Sequence, residues 1–115
     1  MNKVINLHIY DCKINFIISN DISKEIKRIS KNHKQNFTLD CEVEGVVFYF
    51  NISEYFIIIN DIYLKHNTLA HEIYHLVNKI TINRDITDEE AQAWLCGNLT
   101  EIIYTYLKQN KIIVR

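Results

Sequence analysis

The 115-residue chain predicts an α+β fold: a mostly antiparallel sheet packed against three helices. Three observations carry that expectation. Runs dense in isoleucine, valine, phenylalanine and tyrosine recur between Val4 and Ile59. One early interruption, from Asp21 to about Lys34, repeats its apolar residues at helical spacing. From Asn67 onward the apolar spacing is helical almost throughout. Strands gathered early and helices late produce a sheet with helices segregated from it, rather than an alternating parallel sheet. The length fits one domain over residues 1–115.

Val4 to Tyr10 and Ile14 to Ser19 are predicted as strands, joined by a turn at Asp11-Cys12-Lys13. In the helix that follows, Ile22, Ile26 and Ile29 fall at i, i+4 and i+7 and so share one face. Asn20 or Asp21 is placed to cap it, since a short polar side chain there accepts from a free first-turn amide. Phe37 to Phe50 is rich in β-branched and aromatic residues, which suit a pleated surface; Glu44-Gly45 is expected to break it into two strands. Tyr55 to Ile59 is another strand, and Asn51-Ile52-Ser53-Glu54 is its hairpin connection. The next helix carries Leu69, Ile73, Leu76, Val77 and Ile80 on one face, with Asn67 as its expected cap. The last helix spans about Asp88 to Gln109, with Ala91, Leu95, Ile102 and Tyr106 expected on its apolar stripe. Ile112-Ile113-Val114 is expected to join a sheet edge or pack on the helices.

Composition removes several functions. Thirteen basic residues face fourteen acidic ones, a net charge of -1, so no overall basic excess points to nucleic acid or an anionic membrane. Lys24, Lys27, Arg28, Lys31 and Lys34 cluster on the first helix and are expected to form a solvated face. Cys12, Cys41 and Cys96 lie far apart and no C-x-x-C occurs, which argues against a disulfide framework or a thiolate zinc knuckle. The first residues are too polar for a signal peptide, and no apolar run approaches the ~20 residues that span a bilayer. A cytoplasmic protein with reduced thiols is expected.

One segment carries chemistry: Thr68-Leu69-Ala70-His71-Glu72-Ile73-Tyr74-His75-Leu76-Val77. Residues four apart on a helix stack on one face, so His71 and His75 project side by side. Their nitrogens can meet one zinc ion at about 2.0–2.1 Å. Glu72 lies about 100° around the helix, beside the ion, where a carboxylate can take a proton from bound water. Two histidines are too few for a catalytic zinc site, which uses three protein ligands and keeps one position open. No histidine remains downstream. Glu90, at the start of the last helix, is the favoured third ligand, because Ala93 and Gly97 would let that helix approach closely. Thr87-Asp88-Glu89-Glu90 also fits a capping box, which would occupy Glu90 with the Thr87 amide; Glu89 is then the alternative ligand, or none exists. Asp85 is a candidate for orienting a histidine. Tyr74 and Trp94 are expected in the core, and Cys96 as a small buried residue. Tyr63, His66 and Tyr104 are weaker candidates for stabilising an oxyanion. His8 and His33 are assigned no role.

His71-Glu72-Ile73-Tyr74-His75 followed by Glu90-Ala91 resembles the gluzincin metallopeptidases, which pair H-E-x-x-H with a downstream glutamate. The compact size resembles the minigluzincins. The Glu-Glu-Ala-x-Ala segment is similar to ImmA/IrrE-type peptidases, and residues 68–75 with 90–99 resemble small peptidase-like proteins of bacteriophages and mobile elements. The resemblance covers about residues 66 to 103. It implies a zincin-like fold, with zinc held by His71, His75 and Glu90 and with Glu72 as general base. The interval from His75 to Glu90 is short beside larger gluzincins, which argues against a deep substrate cleft. In the zincin fold an edge strand pairs with an extended peptide; Val46 to Phe50 or Tyr55 to Ile59 would take that place.

The expected function is therefore a zinc-dependent peptidase acting on a peptide or protein, with Zn2+ as its cofactor. A second expectation is a catalytically silent metal-binding or host-factor-binding protein on the same scaffold, and a third is a metal-free interaction domain.

Overall fold

The computed structural model describes residues 1–115. Its elements are β1 (Asn2–Leu7), β2 (Cys12–Ser19), α1 (Ile22–Asn32), β3 (Gly45–Asn51), β4 (Glu54–Asn60), α2 (His66–Ile82) and α3 (Glu89–Gln109), with single 3-10 turns at His8–Tyr10 and Asp61–Tyr63. This is an α+β structure with one four-stranded sheet and three helices. The chain divides into two compact units, Met1–Tyr63 and Leu64–Arg115.

In the first unit the strand order is β1-β2-β4-β3. The two outer pairs are antiparallel, but the central β2–β4 pair is parallel, with Ile14 opposite Tyr55 and Ile17 opposite Ile58. The sheet is thus mixed rather than nearly all antiparallel. The reason is the excursion through α1 and β3, which returns the chain alongside β2 in the same direction, as a parallel neighbour requires. The β3–β4 hairpin turns at Asn51–Ser53, as the polar residues there suggest, and it makes β3 the edge while β4 lies inside.

α1 is capped as expected: the Asp21 carboxylate accepts from the Lys24 amide at 3.1 Å. Ile22, Ile26 and Ile29 pack with Ile17, Phe48, Phe56 and Ile58 on one face of the sheet. The opposite face presents Ile14, Phe16, Tyr55, Ile57 and Ile59, all without solvent exposure. A strand buried on both faces reads as an unbroken apolar run rather than an alternation, which is what Tyr55-Phe56-Ile57-Ile58-Ile59 shows. Residues 37–44 form no strand. Their apolar members Phe37, Leu39 and Val43 pack against the α1 cluster from irregular backbone, so burial rather than strand pairing explains the composition.

In the second unit α2 and α3 form a helical hairpin. The predicted line Leu69, Ile73, Leu76, Val77 and Ile80 is buried on α2. On α3 the buried line is Leu95, Leu99, Ile103 and Leu107. Ala91, Ile102 and Tyr106 are only half-buried, so the expected stripe is displaced by a strict i+4 run of aliphatic side chains. α2 starts at His66, ahead of the expected cap Asn67, and no side chain caps it. The chain's last residues do this instead: the Arg115 carbonyl accepts from the His66 amide at 3.0 Å, and the Arg115 amide donates to Leu64 O at 3.1 Å. The tail 112–115 adds no strand. No helix is long and apolar enough to cross a membrane.

Candidate functional site

The buried line of α2 sets the helix's rotation, and that rotation sets where the polar residues point. His71 precedes Ile73 by two residues and His75 follows it by two, each about 200° around the helix from that core residue. Both imidazoles therefore lie off the buried line, His71 exposed and His75 half-buried. Their ring centroids are 4.6 Å apart and their planes nearly perpendicular. Glu72, next to Ile73, turns inward and is only 5% exposed. Its Oε2 lies 2.8 Å from His71 Nδ1. A carboxylate accepts only, so Nδ1–H donates and Nε2 is left for another partner. A histidine held in this way by a carboxylate is oriented for coordination through its other nitrogen.

The first turn of α3 supplies the acidic residues. Asp88 is its N-cap and accepts from the Glu90 amide at 3.1 Å, so Asp88 rather than Thr87 does the capping and the Glu90 carboxylate is free of that task. Glu90 stands nine residues before Leu99, half a turn from the buried line, and is exposed. Glu89 is the acidic residue on the side of α3 that meets α2. It lines a 240 Å³ groove with Tyr74, Val77, Asn78, Ala93 and Cys96. The structure brings His71, Glu72 and His75 together. No group of three His, Cys, Asp or Glu side chains is disposed to share a metal ion. His71 and His75 would supply two donors to an ion.

Several neighbours differ from expectation. A Cβ built on Gly97 would meet nothing within 4 Å, so that glycine does not serve a close helix approach. Tyr74 is 65% and Trp94 54% exposed; neither is core, because both lie off the aliphatic lines of their helices. Cys96 is half-buried at the groove. Asp85 takes a left-handed backbone, φ 53, in the turn after α2 and has no histidine partner.

Two histidines without an assigned role, or with a weak one, are well bonded. His66 Nδ1 lies 2.7 Å from the Tyr104 hydroxyl, the rings stacked within 3° of parallel. Burial pushes the Tyr104 hydroxyl up, and its bond with His66 links the start of α2 to α3. His33, the C-cap of α1, places Nδ1 2.9 Å from Ile29 O and Nε2 3.0 Å from Glu54 Oε1. Both partners are acceptors, so the arrangement is satisfied only by the imidazolium. Asn15 Nδ2 donates to Glu54 Oε2 at 2.9 Å, and Lys13 stands 3.6 Å from the same oxygen. The hydrogen bond to Glu54 raises His33 most, followed by the one to Ile29. For Glu54, burial acts upward, but His33, Asn15 and Lys13 together hold it below the usual carboxylate value. No local pattern could reveal this, since His33 and Glu54 are brought together only by the fold.

No family model, curated protein or solved structure matches the chain.

Proposed function

We propose that the outer face of α2 is a zinc site and that the chain is a cytoplasmic metal-dependent peptidase. The observation that carries this reading is the pair of imidazoles one turn apart, His71 exposed and His75 half-buried, with a buried carboxylate bonded to the first of them. His71 and His75 would hold the ion. The third carboxylate would come from the first turn of α3, Glu90 by its resemblance to the gluzincin motif or Glu89 by its place on the α2 side. Bound zinc supplies Lewis acidity toward a peptide carbonyl. Glu72 fixes the His71 ring through Nδ1 and, on release from that bond, is the nearest base for a proton.

The test separates binding from turnover. At saturating zinc, Glu72→Gln is still loaded and loses cleavage of a peptide library, whereas His71→Ala loses zinc. Full cleavage by Glu72→Gln refutes the assigned base. Comparing zinc affinity in Glu89→Ala and Glu90→Ala decides the third donor.

A second reading has its own support. Glu72 is bonded to His71, which suits a metal-binding protein that engages a partner, such as a host factor, without turnover. Zinc binding with no cleavage by the wild-type chain selects this reading.

A further inference from the structure

We infer that the outer face of α1, with the loop behind it, is a binding site for a phosphate-bearing polyanion. Lys27 and Lys31 lie one turn apart on the exposed face of α1. Lys34 adopts a left-handed backbone, φ 54, which folds the chain back along the helix. The returning segment is held by the Gln35 amide donating to Ser30 O at 2.9 Å and by Phe37, whose ring sits 5.0 Å from that of Phe48. The result is an open hollow of 420 Å³ bordered by Lys27, Lys31, Lys34, Asn36 and Thr38. No carboxylate lines it. The one acidic residue within α1, Glu25, is taken by Arg28 at 2.8 Å. None of the three lysines forms an ion pair with the protein.

Like charges a helical turn apart repel, and three around one concavity leave a positive potential that an anion relieves. The two ammonium groups on α1 and the third on the loop suit a ligand with at least two phosphates. The neutral side chains of Asn36 and Thr38 add hydrogen-bond partners. The balanced net charge of the chain hides this local segregation.

The experiment titrates the intact chain with pyrophosphate at physiological salt, by calorimetry, with sulfate as the comparison ion. Lys31→Glu and Lys27→Glu are compared with Lys24→Glu, which lies on α1 outside the hollow. The expected result is saturable pyrophosphate binding, tighter than sulfate, weakened roughly tenfold by either hollow variant and less than about twofold by Lys24→Glu, since charge-assisted bonds depend on contact. A short single-stranded oligonucleotide forms a second arm. Tighter binding than pyrophosphate with the same order of variants identifies a phosphodiester as the source, and weaker binding identifies a free polyphosphate. Absence of saturable binding, or equal loss in Lys24→Glu and Lys31→Glu, overturns the site. All these substitutions are at exposed positions, and unchanged thermal midpoints without ligand verify that the variants fold.

Discussion

Glu72 is buried, yet its oxygen meets a histidine that faces solvent. Removing its charge should loosen the His71 ring as well as any proton transfer. Glu72→Gln should therefore lower zinc affinity modestly, by about 10–100-fold if the bond to Nδ1 is what orients the ring, measurable by competition with a chelating dye. His33 makes a separate prediction. Its folded value is raised above 6.5, so its stabilising effect is complete below pH 6.5 and is lost as pH rises through the raised value. Glu54 is lowered below 4.5, so its contribution is complete above pH 4.5 and is lost as pH falls through the lowered value. The pair thus stabilises most between those limits. In His33→Gln the alkaline arm of this dependence should flatten in urea unfolding followed at several pH values. An NMR titration placing His33 at or below 6.5 would contradict the double-acceptor geometry.

Among the elements, α1 and α2 were legible because each buries side chains at the helical period, and β4 because its unbroken apolar run marks a strand buried on both faces. Ile26 is 1% exposed, and Ile26→Ala should cost about 2–5 kcal/mol through lost burial and the cavity left behind, readable by denaturant unfolding. α3 was legible in extent but not in rotation. Alanine and tyrosine competed with leucine and isoleucine for the stripe, and continuous i+4 aliphatic packing prevailed. The role of Gly97 was misread for a related reason: glycine signals freedom without saying whether space is needed. It has no positive φ and no neighbour at its Cβ position. Gly97→Ala should therefore stabilise the chain by roughly 0.5–1 kcal/mol, the helix-propensity difference, and a loss of stability would mean that α3 is approached there after all. The start of α2 was illegible because Arg115, far away in sequence, occupies the place of a capping side chain.

At the scale of the molecule, charge is balanced in total and uneven in place. Cations collect on α1 and carboxylates at the start of α3. The sheet order was not readable from strand composition, because a parallel centre and an antiparallel one use the same apolar residues. The H-E-x-x-H constellation was readable, since its spacing is a property of one helix. Which carboxylate would complete a site depends on how α3 is rotated, which spacing within one helix does not give. Zinc titration of the purified chain beside His71→Ala and His75→Ala tests the central claim most directly. The account predicts one ion per chain in the wild type and loss of that ion in either variant. Retention of zinc by both variants, or a wild-type chain that takes up none, would contradict it.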